Sequence, residues 1–126
     1  MTTDRDAWDP LLDDLRERRA AARAMGGEDR LARHRDKGGG GRLDARARID
    51  HLLDTGSFRE IGTLVGTPAG DVPADGIVTG SGMVDGRPVM IGAEDFTVLG
   101  GSIGSGSTAK RYRIAELAER DRMPLV

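Results

Sequence analysis

Two runs of nine residues, GIVTGSGMV (76–84) and RPVMIGAED (87–95), flank the dipeptide Asp85-Gly86. No other feature constrains the fold of this chain as much. Both residues of an Asp-Gly pair tolerate the positive φ of a type I′ turn, whose twist matches that of paired strands, so the block predicts a β-hairpin. Gly80 and Gly82 inside the first strand predict a bulge or close packing. Upstream, FREIGTLVG (58–66) reads as a short strand, and TPAGDVPAD (67–75) as a Pro/Gly/Asp loop. Downstream, FTVLG (96–100) either extends the second hairpin strand or forms a short strand of its own. Residues 107–121 read as a helix with Ile114, Leu117 and Ala118 on one face. The closing RMPLV reads as the opening of a buried parallel strand. Its ladder groups are then left unpaired, which makes the chain a fragment by expectation.

The first forty residues follow a different pattern. Residues 9–25 predict a helix capped by Asp9, with Pro10 in its first turn, Leu12, Leu15, Arg19 and Ala22 at helical spacing, and Gly26-Gly27 as the stop. EDRLARHRDK (28–37) predicts a second short helix whose one strong apolar residue is Leu31. This half is an exposed helical arm that must lie on something else. Gly38–Gly41 break it, and LDARARIDHLLDTGSF follows, with Asp44 as N-cap and Ile49, Leu52 and Leu53 as an apolar stripe. The expected organisation is therefore an arm over 1–41 and the start of a domain over 42–126. No internal repeat is visible. With 37% hydrophobic and 3% aromatic residues, and 19 glycines among 126, about twice the usual share, the core must be small or completed by other material.

Composition also narrows the function. A net charge of −2 selects no polyanionic partner globally. The absence of cysteine removes disulfides, thiolate metal sites and thiol nucleophiles, and fits a cytoplasmic location. The first ten residues carry acids and no apolar run, and no stretch reaches membrane-spanning length. Acids interleave the arginines of the arm, and no aromatic residue lies between Trp8 and Phe58, which argues for a solvated face over a nucleic-acid surface. His34 and His51 lie on different elements without a ligand pattern, so no metal site is expected. Glu94 and Asp95 are strand neighbours on opposite faces; Asp95 is expected to hydrogen-bond the loop it precedes. Ser102, Ser105 and Ser107 have no base nearby in sequence. The glycine-rich stretch Gly100–Gly106 precedes a helix and matches neither the Walker nor the dinucleotide spacing. It is either a plain turn or a loop whose bare amides meet an anion or carbonyl oxygen, with Lys110 and Arg111 in the first turn of the helix within reach of a phosphate.

Three blocks in order, LDARARIDHLLDTGSFREIG (43–62), DGIVTGSGMVDGRPVMI (75–91) and DFTVLGGSIG (95–104), together with the helix and the RMPLV end, resemble the start of the carboxyltransferase (β) subunit of biotin-dependent acyl-CoA carboxylases, the propionyl-/acetyl-CoA type above all. The resemblance covers about residues 11–126. The four-glycine run stands where a Lys-Gly-Lys-like segment is usual, and Ser105-Gly106-Ser107 where a Glu-Met-His-like segment is usual. The resemblance implies an α/β fold, a partial crotonase-like domain of ββα units in a spiral, preceded by the helical arm. It implies carboxyl transfer from carboxybiotin to the α-carbon of an acyl-CoA, with the enolate held by backbone amides. Those oxyanion glycines and the second domain lie beyond Val126, so the chain alone is expected to be inactive, and no catalytic residue is assigned within it. The implied partners are the acyl-CoA substrate, a biotin carboxylase or biotin carrier subunit that bears the carboxybiotin, and further copies of the subunit. No cofactor is expected to bind this chain directly. By analogy with the fold, Gly100, Gly101 and Ser102 approach the CoA, with Lys110 or Arg111 near its phosphates. The alternatives are a non-catalytic CoA- or phosphate-binding module and an assembly piece that docks on a partner chain.

Overall fold

The computed structural model describes residues 4–66 and 74–126. Four helices, α1 (Asp4–Arg23), α2 (Glu28–Asp36), α3 (Ala45–Leu52) and α4 (Ser105–Asp121), accompany three strands, β1 (Arg59–Ile61), β2 (Ile77–Val84) and β3 (Arg87–Glu94). The strands form one antiparallel sheet in the order β1-β2-β3. Asp85 and Gly86 have φ of 49° and 75°, the type I′ signature, and they pair Val84 with Arg87 at the head of the hairpin. Asp54 fixes this turn from outside: its carboxylate accepts from the amides of Asp85 (2.9 Å) and Gly86 (2.8 Å).

The pleat sends alternate side chains to the two faces of the sheet. Val78, Val89 and Ile91 pack on Ala45, Ile49 and Leu53 around α3. On the other face, Met90 packs against Ile114 and Ala118 of α4. The sheet is thus a middle layer between two helices. Gly80 and Gly82 are close-packing positions. A Cβ at Gly80 would stand 2.4 Å from the Arg59 carbonyl oxygen, and one at Gly82 would stand 2.4 Å from Leu53 Cδ1. α3 starts as expected, with the Asp44 carboxylate accepting from the Ala47 amide at 3.0 Å.

After α4 the chain turns at Arg122 in a left-handed conformation and reaches β3. The Met90 amide donates to the Pro124 carbonyl, the Val126 amide to Met90, and the Gly92 amide to Val126, each at 2.9 Å. Leu125 bridges Met90 in parallel. RMPLV is therefore the first step of a parallel strand beside β3, and β2-β3-α4 forms one ββα unit.

Four expectations need correction. α1 begins at Asp4, so Asp9 does not cap it and Pro10 lies inside the helix. This part of α1 is exposed, which eases the accommodation of a proline inside the helix. The strand expected over 58–66 is only Arg59–Ile61, because Gly62 turns the chain with φ of 75° and the Val65 amide closes back on the Gly62 carbonyl. FTVLG forms no strand. It is a turn leading into a short 3₁₀ segment, Leu99–Gly101. α4 starts at Ser105, two residues before the expected position. Most of the TPAGDVPAD loop, residues 67–73, lies outside the described residues.

Candidate functional site

The site region grows from Asp95. As expected, this buried residue holds the loop it precedes: Asp95 Oδ1 accepts from the Thr97 amide at 2.9 Å and from the Thr97 hydroxyl. Thr97 Oγ1 in turn accepts from the Gly26 amide at 3.0 Å, which fastens the end of the arm to the loop. Past Thr97 the chain passes through Leu99, Gly100 and Gly101 with φ of 47°, 65° and 77°, a left-handed run that glycine relieves at two of its three positions. A Cβ at Gly101 would lie 2.7 Å from the Phe96 ring, whereas one at Gly100 would meet nothing within 4 Å. Gly100 therefore presents bare backbone to the outside. Ser102 closes the turn by donating its hydroxyl to the Leu99 carbonyl at 2.7 Å.

The helix that follows has its N-terminus occupied from within. Asp75, 2% exposed, places Oδ2 at 2.7 Å from the Ser107 amide, while Oδ1 accepts from the Gly76 amide at 2.8 Å. A carboxylate at a helix N-terminus satisfies free amides and meets the positive end of the dipole. The close fit accounts for two of the glycines: a Cβ at Gly104 would stand 3.1 Å from Asp75 Oδ2, and one at Gly106 only 2.6 Å away. Ser107 also supplies the return half of a capping box, its hydroxyl accepting from the Gly104 amide at 2.8 Å, while Asp75 stands in for the side chain that Gly104 lacks.

Of the two cations expected near a phosphate, Lys110 points inward. It is 6% exposed, and its ammonium donates to the Ile77 carbonyl at 2.9 Å. Burial lowers its pKa below the ordinary 10.5, and the charges of Glu60 and Asp75 only partly offset this. Arg111 is partly exposed and pairs with Glu94 at 2.8 Å across the edge of β3. The structure thus brings Gly100, Gly101 and Ser102 together in one turn and sets Lys110 and Arg111 apart from it, in separate roles.

Sequence reasoning missed a cleft of about 450 Å³ between α2 and this turn, lined by Arg30, Arg33, His34, Lys37, Phe96, Thr97, Leu99 and Gly100. A smaller hollow beside it adds Arg42. The available signal was the spacing of Arg30, Arg33 and Lys37 at i, i+3 and i+7, one helical face, which the arginine count of the arm obscured. Asp75 had no local signal. Among the described residues, no cluster of three or more histidines and acids has the arrangement of a metal site, and no helix is long and apolar enough to cross a membrane.

An α3–sheet–α4 sandwich with a ββα unit, a glycine turn and a cationic cleft defines a class that comparison with known proteins identifies. Residues 36–126 match the carboxyl transferase domain. The chain is 41% identical over 122 residues to the propionyl-CoA carboxylase carboxyltransferase subunit of Haloferax mediterranei, covering 91% of this chain and 23% of that protein. It is 46% identical over 118 residues to the biotin-dependent long chain acyl-coenzyme A carboxylase beta4 subunit of Mycobacterium tuberculosis, covering 91% of this chain and 22% of that one. Among solved structures, the transcarboxylase 12S hexamer with methylmalonyl-coenzyme A bound superposes with a TM-score of 0.85 at 34% identity, over 99% of this chain and 24% of its own. The chain belongs to the carboxyl transferase domain family, and its fold is a partial crotonase-like α/β domain. It spans less than a quarter of the length of these curated relatives.

Proposed function

We propose that this chain is the N-terminal part of an acyl-CoA carboxylase carboxyltransferase subunit, which moves a carboxyl group from carboxybiotin to the α-carbon of an acyl-CoA. The single observation that carries its share in that reaction is the left-handed turn at Leu99–Gly101, where Gly100 offers unobstructed backbone beside a cationic cleft. On this reading the turn, with Ser102, forms part of the wall along which the CoA lies. Lys110 supports that wall from behind by tying α4 to the start of β2, and Arg111 is the cation that can leave Glu94 for a phosphate. No catalytic residue is assigned to the described residues. The carboxybiotin is borne by a biotin carrier or biotin carboxylase partner, and the resemblance places it against a second domain. Homo-oligomerisation belongs to the same proposal, as does the division into an arm over 1–41 and a domain from 42. Membership of the family favours this reading over a free-standing CoA-binding module.

The experiment is a titration of CoA and a short acyl-CoA into the subunit as its gene encodes it, with Gly100→Ala alongside. Binding by the wild type that weakens severalfold in the variant, at unchanged thermal stability of the remaining fold, supports the reading. Absence of CoA binding overturns it.

A further inference from the structure

The corner between α1 and α2 is seated on the domain in two places. Met25, left-handed with φ of 52°, packs against the α3 cluster. Gly26 brings bare backbone onto the 96–101 turn, so close that a Cβ there would stand 2.1 Å from the Thr97 carbonyl oxygen. The Thr97 hydroxyl joins the two segments with both of its roles in use. Oγ1 accepts from the Gly26 amide at 3.0 Å and donates to Asp95 Oδ1. Asp95 is itself fixed to the start of the hairpin, its amide donating to the Gly76 carbonyl at 2.9 Å. Thr97 and Asp95 are both buried, so each of these bonds is costly to lose.

Two residues further on stands Leu99, at φ of 47°. A leucine in that conformation is strained, because its Cβ crowds a carbonyl oxygen, and it persists only where its surroundings impose it. The Leu99 side chain is 48% exposed, so packing does not impose it. Two hydroxyls bracket it instead. Ser102, downstream, donates to the Leu99 carbonyl at 2.7 Å, and between them the Gly101 amide closes on the Val98 carbonyl at 2.9 Å. Ser102 is exposed and exchanges its bond with water; Thr97 is buried and does not, which makes Thr97 the fixed end of the turn.

We propose that Thr97 is a positioning residue for the acyl-CoA. Its hydroxyl, seated between the Asp95 carboxylate and the Gly26 amide, holds the Leu99–Gly101 turn in the left-handed form that bares the Gly100 backbone, and it makes that form depend on the docking of the arm. Thr97 acts through the turn and not on the reacting atoms. Without the hydroxyl, Leu99 relaxes toward negative φ, and apparent affinity falls with the fraction of molecules that keep the turn. The inference rests on the acyl-CoA reading of the turn and adds what sets its shape.

The test compares the encoded subunit with Thr97→Val, which removes the hydroxyl at nearly constant shape, with Thr97→Ser, which keeps it, and with Gly26→Ala, which drives the arm corner off the turn from the other side. Two quantities are read. One is amide hydrogen exchange at Gly101 and Ser102, with the Met90 and Gly92 amides as the control on the fold. The other is KM and kcat for acyl-CoA, with carboxybiotin on its carrier. In Thr97→Val and Gly26→Ala, exchange at the turn should quicken about tenfold with the control amides unchanged, and KM should rise about tenfold with kcat within about twofold of the wild type. Thr97→Ser should match the wild type in both. Unchanged exchange at the turn overturns the proposal and leaves the acyl-CoA reading to the Gly100→Ala titration. Faster exchange with an unchanged KM overturns the proposal together with the acyl-CoA reading of the turn. Thr97→Ser as impaired as Thr97→Val overturns the role of the hydroxyl. If one variant also loses protection at Met90 and Gly92, the other decides; if both do, the contact holds the whole fold and the positioning role is overturned.

Discussion

Asp75 Oδ2 lies 2.7 Å from the Ser107 amide, so the N-terminus of α4 is filled by a carboxylate from the start of the hairpin, 32 residues earlier in the chain. The sequence Gly-Ser-Gly-Ser invites a bound anion at that helix end; the protein supplies the anion itself. The same contact locks the glycine-rich loop against the sheet, and through it sets the position of the turn at Gly100.

Removing that anchor should therefore cost stability. Asp75→Ala leaves the Ser107 and Gly76 amides without their acceptor in a buried place, a loss of about 1–3 kcal/mol. Chemical denaturation should show a lower midpoint with unchanged slope. Gly106→Ala should cost a similar amount by forcing a methyl group into the 2.6 Å gap before Asp75 Oδ2. A Gly106→Ala protein as stable as the wild type would contradict the close packing.

Lys110 should act on folding more than on ligand affinity. Lys110→Met keeps most of the side-chain volume and removes the ammonium bonded to Ile77. Burial depresses the lysine pKa below 10.5 in the folded state, so in the window between the folded value and 10.5 the unfolded chain binds more protons. The stability of the wild type relative to Lys110→Met should then rise with pH as 10.5 is approached. A difference that stays flat from neutral to alkaline pH counts against the buried ammonium. Arg111→Ala supplies the contrast: it should leave stability nearly unchanged, since the Glu94 pair is at the surface. It should raise the KM for acyl-CoA if the guanidinium moves to a phosphate. An unchanged KM removes Arg111 from the site.

Glu60 should mark the acid limb of stability. Burial pushes its carboxyl up, but hydrogen bonds from Arg46 and Thr63, with the charges of Arg46 and Lys110, outweigh this and hold it below the ordinary 4.5. Its contribution is complete above 4.5 and is lost as pH falls through the lowered folded value. Thermal midpoints of Glu60→Gln should therefore fall less steeply than those of the wild type below pH 4.5. Parallel curves would show that the Arg46–Glu60 pair does not govern acid unfolding.

The interior should respond as a close-packed core. Ile49 is 1% exposed and packs in the α3 cluster against β2 and β3. Ile49→Ala should cost about 2–5 kcal/mol, read as a shift in the denaturation midpoint.

What was legible in the sequence was what short-range chemistry dictates. Asp85-Gly86 reports its turn because both residues must take positive φ, and Asp44 reports the start of α3 because its acceptor lies three residues away. Asp95 likewise served its own loop two residues on. The errors fell where distant groups intervene. FTVLG has strand-like residues, but the Asp95–Thr97 bond bends the chain, and the Gly26 amide of the arm donates to Thr97 Oγ1. The buried bond of Lys110 was equally unreadable, because only the fold brings the Ile77 carbonyl to it. Gly80 and Gly82 were readable as packing positions, though not which neighbour, Arg59 or Leu53, occupies the space. The cationic cleft joins α2 to a turn some sixty residues later, and only the spacing of Arg30, Arg33 and Lys37 hinted at one side of it.

The central claim is carboxyl transfer to an acyl-CoA, and the most direct measurement is transfer of a labelled carboxyl group. The encoded subunit would be mixed with a biotin carrier protein charged with labelled carboxybiotin, then given a panel of short- and long-chain acyl-CoAs. The account predicts label in the carboxyl group of an acyl-CoA product, at a rate that falls when Gly100 is replaced by alanine. Retention of all label on the carrier, with every acyl-CoA tried, would contradict it.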